Sequence, residues 1–287
     1  VRIKFKNFWP TFRGQWFVDN KFRLFDYDFQ VVDKEPYDLE ICCTFGNEPL
    51  NPNVLSVFWS MEGIWDVKDF PIDKYNWMFY FFPEDLFNNP KYCQISMIPP
   101  NFLTCRSGYK SLSPKTKFCN FVYRNPVSFR NDFFTKLSEY KHIDSPGLCM
   151  NNMPPIGEFE GPLKSRQAPD WDKQKLEFIR PYKFTLAIEN HLIPGYTTEK
   201  IIQPLDIGSI PIYWGNAHVS QDLNTKNFIN VHEYENIDDV IEYIIKVDND
   251  DDLYASFFQE PLTFTNPSIK ILEHWQKVFD DVISRIN

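Results

Sequence analysis

Apolar and polar positions follow two rhythms along this chain. In the first half, short apolar runs stand between turns. RIKFKNFW alternates with the two-residue period of a strand, and DLEICCTF, NVLSVFWS and YNWMFYFF are short continuous runs of the kind that fill buried parallel strands. The second half interleaves strands with helical patterns. KFCNFVYR reads as a strand. Ser128 then stands where an N-cap is expected, and Phe133, Leu137 and Tyr140, with Phe134 beside them, mark one helical face. Pro146-Gly147 lies beyond that helix. KFTLAIEN reads as a strand, a loop with Pro194-Gly195 follows, and TEKIIQPLDIG opens a helix at a Thr cap with Gly208 near its end. Pro204 inside that helix removes the bond to the Lys200 carbonyl, which predicts a kink or a short helix. SIPIYWG and FINVH read as strands. IDDVIEYIIKV and PSIKILEHWQKVFDDVISRI read as helices, the last with Ile271, Leu272, Trp275, Val278, Phe279, Val282 and Ile286 on one stripe.

Strands alternating with helices predict an α/β fold, a parallel sheet with helices on both faces. The polar stretch PPNFLTCRSGYKSLSPKTK carries Pro, Gly and Ser and predicts a boundary near the middle. Two units are therefore expected, 1–110 and 111–287, with the last helix free to pack back on the first. In open α/β sheets, ligands bind at the carboxyl ends of strands. Functional residues are accordingly sought just after strands.

Composition narrows the field. The 287 residues are 43% hydrophobic, ample for a packed interior, while a net charge of −9 argues against a nucleic-acid partner, which needs a basic face. No apolar run is long enough to span a bilayer, and the opening VRIKFKNFW has no signal-peptide pattern. The chain lacks an initiator Met, so a removed upstream segment or a lost membrane anchor stays open. None of the six cysteines forms a C-x-x-C pair; they read as buried thiols in a reducing compartment rather than zinc ligands. The 28 Phe and 8 Trp exceed the usual needs of a core, and some are expected to line a cleft, because sugar rings turn apolar C–H faces toward aromatics.

Four places follow strands and carry polar chemistry: Glu62; Arg124, Asn125 and Arg130; Glu189 and Asn190; and Tyr196, Thr198, Glu199 and Lys200 in the next loop and helix start. A helix N-terminus offers free N–H groups and a positive dipole, suited to phosphate. Lys200 in the first turn runs against the dipole's preference. Either an anion belongs there, or the lysine is solvated beside Glu199. The fingerprints of dinucleotide oxidoreductases and P-loop nucleotidases are missing. The run DNDDD, Asp248 to Asp252, is expected to be a solvated loop rather than a metal site. None of the five histidines has metal-ligand spacing; His191, beside the Glu189-Asn190 corner, is the one to follow.

These residues carry a resemblance. YKFTLAIENHLIPGYTTEKIIQPLDIGSIPIYWG resembles the donor-binding motif of the α-1,3/4-fucosyltransferase family: an acidic residue plus Asn at a strand end, a Tyr-x-Thr-Glu-Lys turn, and a strand ending in Tyr-Trp-Gly. RNPVSFRNDFFTKLSEYKHIDSPG is similar to the family's upstream motif, an Asn, an Arg opening a helix and a Tyr-Lys-x-x-Asp-Ser turn. KFKNFW and VFWSMEG more loosely resemble pieces of the bacterial branch. The resemblance is strong over about residues 116–235 and loose before them.

The resemblance implies a GT-B architecture, two Rossmann-like domains facing across a cleft, with the acceptor mainly on the first and the nucleotide on the second. It implies transfer of fucose from GDP-β-L-fucose, with inversion, to a hydroxyl such as O3 of N-acetylglucosamine in a lactosamine-type glycan. Glu62 is similar in position to the general base, and Arg130 and Lys200 match the cations around the pyrophosphate. Glu199 matches the residue that binds the ribose hydroxyls, while Glu189, Asn190, Tyr196 and Thr198 would shape the same pocket. A Glu base is expected in a partly apolar site, and Trp59, Met61 and Trp65 neighbour Glu62 in sequence. No tightly bound cofactor is expected, with Mn or Mg at most stimulatory. Arg124 departs from the family, which often carries Ser there; it is either a third cation or solvated. The chain stops without leucine-rich heptads or a basic amphipathic tail, so dimerisation and membrane attachment by those means are not expected. A monomer or weak dimer in the cytoplasm is expected, a luminal fragment of an anchored enzyme being the alternative. Another GDP-sugar, another acceptor, or a silent binding protein on the same scaffold remain as competing functions.

Overall fold

A computed structural model describes residues 1–96, 114–156, 171–262 and 268–286. The expected boundary at 110/111 and Cys105 lie outside the described residues. In chain order the elements are β1 (Arg2–Lys6), α1 (Gly14–Lys21), β2 (Gln30–Val31), β3 (Leu39–Cys42), β4 (Leu55–Trp59), β5 (Trp77–Tyr80) and β6 (Tyr92–Gln94). There follow β7 (Lys117–Asn120), α2 (Ser128–Ser138), β8 (Ile143–Asp144), α3 (Trp171–Ile179), β9 (Tyr182–Ile188), α4 (Glu199–Ile207), β10 (Ile210–Trp214) and α5 (Val219–Asp222). β11 (Ile229–Asn230), α6 (Ile237–Asn249), α7 (Asp251–Ser256) and α8 (Ser268–Ile286) complete the chain.

The chain divides into two compact units, one joining its beginning to its last helix, the other holding the middle. The first unit is a six-stranded sheet in the order β2-β1-β3-β4-β5-β6. All its pairings are parallel. Every residue of β3 and β5 is buried, which is why these strands read as unbroken apolar runs. The amphipathic α8 closes this core. Trp275 stacks on Phe79 at 4.2 Å, and Phe279 packs on Phe22, Phe25 and Phe29. Each such ring contributes roughly 1.5–3 kcal/mol by leaving water. The stripe stops short of its expected end, because Ile286 is 51% exposed in the last turn.

The second unit is a five-stranded sheet in the order β11-β10-β9-β7-β8, again wholly parallel. Its core gathers Phe133 and Leu137 of α2, Phe184 and Leu186 of β9, and Val240 and Ile244 of α6. α4 begins as its sequence requires: the Thr198 hydroxyl accepts from the Lys200 N–H at 3.3 Å. It ends at Gly208, whose φ of 73° is the left-handed conformation of a helix C-terminus. Pro204 lies in its last turns, and the helix runs only nine residues. No helix among the described residues is long and apolar enough to cross a membrane.

Three local expectations are corrected. Ser128 is the first helical residue of α2 rather than its cap; extended Val127 holds the cap position without a side-chain bond, and the Ser128 hydroxyl donates to Asp132 instead. Tyr140 falls beyond the end of α2. The DNDDD run is not a solvated loop. Asp248 ends buried in α6, ion-paired to Lys141 at 2.5 Å and Lys183 at 3.1 Å, while Asp250 caps α7 by accepting from the Leu253 N–H. Acidic residues serve here as a cap and a buried tie, because helix starts leave N–H groups free and two lysines offset the buried carboxylate. The weak sequence patterns of α1, β2, β6, β8, α3 and α5 gave no expectation of those elements.

Candidate functional site

In the second unit, the ends of β7, β9 and β10 and the start of α4 bring charged side chains together. Tyr123, just after β7, fixes the spacing. Its hydroxyl donates to the Leu186 carbonyl at 2.8 Å and accepts from the Ile188 N–H at 2.7 Å, which bolts the ring to β9. The Arg130 guanidinium lies over this ring at 3.7 Å. Arg130 comes from the first turn of α2 and is 1% exposed. Its Nη1 donates to the Asn125 carbonyl at 3.2 Å, and its Nη2 donates to the Ile188 carbonyl and Asn190 Oδ1, both at 2.8 Å. Its buried Nε has no partner, and no carboxylate among the described residues pairs with it. A buried guanidinium answered only by dipoles and a π face leaves positive potential uncancelled.

Glu189 stands immediately after β9 and is fully buried. Its Oε1 accepts from the Thr198 N–H at 3.0 Å and the Thr198 hydroxyl at 2.6 Å. Its Oε2 lies 2.9 Å from Lys200 Nζ. The anion that the position of Lys200 called for is thus, in the chain itself, Glu189. Burial pushes the Glu189 carboxyl up, against the pull of Lys200 and Thr198. Burial works to lower the Lys200 ammonium, but Glu189 and Glu199 outweigh it and hold the group charged above its usual range. Glu199, its side chain 46% exposed, lies 3.5 Å from Lys200. Packing would raise its carboxyl, yet Lys200 and Lys175 hold it below the usual carboxylate range.

A second layer orders the loop between β9 and α4. Asn216 Oδ1 accepts from the Gly195 and His218 N–H groups, and its Nδ2 donates to Thr197 and Asp222. The Thr197 hydroxyl donates to Asp222 at 2.6 Å. Tyr196 is buried, and its carbonyl accepts from the Tyr213 hydroxyl at 3.4 Å. Gly215 passes so close to Glu189 that a Cβ there would sit 2.4 Å from Glu189 Cγ, which no side chain allows.

The fold therefore brings together Arg130, Glu189, Asn190, Thr198, Glu199 and Lys200. Asn125 contributes its carbonyl, and Tyr196 supports the loop from beneath. Arg124 is half-buried and makes no hydrogen bond or ion pair among the described residues. Glu62 belongs to the other unit, in the loop three residues beyond β4. The Tyr80 hydroxyl donates to its carbonyl at 2.7 Å, and its own N–H donates to Ser60. Trp59 and Met61 pack on the first core, and the Glu62 side chain is exposed. Sequence reasoning missed Tyr123 and the Asn216–Asp222 pair, and held Gly215 only as the end of the Tyr-Trp-Gly strand. A polar-tipped aromatic ending an apolar run, and a Gly directly after a strand, were the available signals. Among the described residues, no three His, Cys, Asp or Glu side chains converge as metal ligands.

Two Rossmann-like parallel-sheet units define the GT-B class of glycosyltransferase folds. The structure superposes on a solved α1,3-fucosyltransferase with GDP-fucose at a TM-score of 0.73 and 22% identity, covering 97% of this chain and 90% of that one. Residues 112–279 match the profile of glycosyltransferase family 10 (fucosyltransferase), C-terminal part, and the chain belongs to this family. A protein of Acanthamoeba polyphaga mimivirus, provisionally named a fucosyltransferase, is 34% identical over 65% of this chain and 32% of its own length. An α-(1,3)-fucosyltransferase of Helicobacter pylori is 37% identical over 45% of this chain and 24% of its own. The chain thus matches a third or less of the length of these curated relatives.

Proposed function

We propose that this chain is an inverting α-1,3-fucosyltransferase that moves L-fucose from GDP-β-L-fucose to a sugar hydroxyl, O3 of N-acetylglucosamine in a lactosamine-type glycan. The observation that carries the proposal is the buried Arg130, without a carboxylate partner among the described residues, beside the Glu189–Lys200 pair at the strand ends. In this reading the acceptor oxygen attacks the fucose anomeric carbon as the bond from that carbon to the GDP oxygen breaks. Glu62 takes the acceptor proton. Arg130 and Lys200 offset the charge that grows on the departing diphosphate. Glu199 binds the ribose hydroxyls, and Glu189, Asn190, Tyr196 and Thr198 shape the pocket. Arg124 and Asn125 flank it at the end of β7. The protein's own cations do the work, so added Mn or Mg only stimulates. Among the described residues five cysteines are free and buried, which suits a reducing compartment, the cytoplasm.

The test is GDP release from GDP-fucose with lactose or N-acetyllactosamine, with and without a chelator. Acceptor-dependent release that survives chelation supports the reading. GDP binding without release turns the search to other GDP-sugars and acceptors; no GDP binding at all overturns it. Glu62→Gln should keep GDP binding while turnover falls by about 10²–10⁴, the usual cost of losing a general base. Near-normal turnover in that variant removes Glu62 from the role.

A further inference from the structure

The Glu62 side of the first unit carries two exposed aromatic rings that its core does not use. Trp9 is 38% exposed and Phe45 is 49% exposed, and their rings meet edge to face at 5.8 Å. Exposed aromatic side chains are common, but these two are held in place from behind. β1 ends at Lys6, and Asn7 follows in the left-handed region at φ 59°. From that position Asn7 ties down the loop after β3. Its carbonyl accepts from the Phe45 N–H at 2.7 Å, its Oδ1 accepts from the Glu48 N–H at 2.8 Å, and its Nδ2 donates to the Glu48 carbonyl at 3.1 Å. The loop lies so close that a Cβ on Gly46 would meet Asn7 Oδ1 at 2.7 Å. Trp9 is backed by Phe12, whose ring it meets at 5.0 Å. The rings are therefore fixed while part of their surface is open to solvent.

We infer that Trp9 and Phe45 form a stacking platform for a pyranose ring of the acceptor, a hexose that turns an apolar C–H face outward. The inference rests on the transferase reading above and extends it to the acceptor. The parallel register puts the ends of β1, β3 and β4, which lead into Trp9, Phe45 and Glu62, at one edge of the sheet. Phe8 links Trp9, at 5.8 Å, to Trp59, at 6.3 Å, and Trp59 ends the strand that leads to Glu62. The size of the patch points to a sugar rather than a protein. A stable protein partner covers about 800 Å² on each side, far more than two half-exposed rings. The Glu48 carboxylate, 45% exposed on the same tethered loop, supplies a polar rim for hydroxyl groups.

The experiment uses the full chain with Trp9→Ala, Phe45→Ala and Trp9→Phe. Saturation transfer from protein aromatic protons to N-acetyllactosamine is measured by NMR with GDP present. The unaltered chain should transfer saturation to the ring C–H protons of one sugar, both alanine variants should lose it, and Trp9→Phe should keep it. In the transfer assay, each alanine variant should raise the acceptor KM at least about tenfold. GDP affinity by calorimetry should not move, and an unchanged melting temperature and near-UV circular dichroism spectrum report that the substituted first unit is folded. Phe45 is half exposed, so its truncation spares the core. An acceptor KM within about twofold of normal in both alanine variants overturns the platform. So does saturation transfer that is absent from the unaltered chain or unchanged in the variants. The transferase reading fails separately, when the unaltered chain moves no fucose to any acceptor; the NMR arm needs no turnover and still decides the platform.

Discussion

Each unit buries one glutamate against one lysine, and the surroundings give the two pairs different work. In the first unit, Lys6 Nζ lies 2.6 Å from Glu40 Oε2 and donates to the Pro49 carbonyl, while the Asn51 N–H donates to Glu40. Glu48 and Lys4 add one further charge of each sign, so the cluster is neutral. Burial would lower the Lys6 ammonium, but Glu40 holds it above its usual range. In the second unit, Glu189 and Lys200 are matched in the same way, but Arg130 lies alongside. Glu199, half exposed and 3.5 Å from Lys200, is the fourth charged group, so this cluster too holds two cations and two carboxylates, but one of its cations, the buried Arg130, has no carboxylate partner among the described residues. Charges that are all paired tie strands together, whereas a buried cation left without a carboxylate keeps a potential that a diphosphate can fill.

Separating the two pairs by mutation sharpens this contrast. Lys6→Ala strands a buried carboxylate and should cost about 3–5 kcal/mol of stability, as broken buried pairs do. Urea unfolding measures this, and calorimetry on the folded variant should find GDP affinity unchanged; a parallel loss of affinity would erase the distinction. Lys200→Ala should weaken GDP and GDP-fucose together by roughly 1.5–3 kcal/mol, the range for bonds to charged groups. Adding Glu189→Gln removes the stranded carboxylate, so stability should recover while affinity stays low. Unchanged nucleotide affinity in Lys200→Ala would take Lys200 out of the phosphate site.

Smaller effects test the support of the second pair. Gly215→Ala drives a methyl into Glu189 and should cost about 1–3 kcal/mol, as overpacking does, read as a lower melting temperature with weaker GDP binding. Asp248 is a control remote in sequence from the site. Burial works to raise its carboxyl, but Lys141, Lys183 and Tyr140 outweigh it and hold it below the usual carboxylate range. A carboxyl lowered in the folded state contributes stability above its unfolded value, about 3.9, and loses it as pH falls through the lower folded value. The unaltered chain should therefore lose stability below about pH 4, and Asp248→Asn should flatten that slope and cost about 1–2 kcal/mol at neutral pH. An acid profile unchanged by the substitution would mean that other carboxylates set it.

Much of the fold was legible in the residues because the forces involved are local. β3, β4 and β5 announced themselves as apolar runs, α4 by its Thr cap and α8 as a periodic stripe, since periodicity and capping act over a few positions. The polar residues after β7 and β9 were also legible, because parallel strands present their carboxyl ends to ligands. Short elements such as β2 and β8, two residues each, carry no period to read.

By itself, the sequence determined the alternation of strands and helices, the cap and left-handed end of α4, and the Tyr-x-Thr-Glu-Lys turn that marks the family. Only the tertiary structure decided that Glu189 is the anion for Lys200, that Tyr123 carries Arg130 while bonded to residues 63 and 65 positions away, and that Asp248 is buried between Lys141 and Lys183. It also decided that α8 completes the core of strands lying some two hundred residues earlier, as the bond from Trp77 to Asp281 across 204 positions records. The reason is physical. Propensity and periodicity are set by neighbours along the chain, but the partner of a buried charge or ring is whatever the packed layers bring against it.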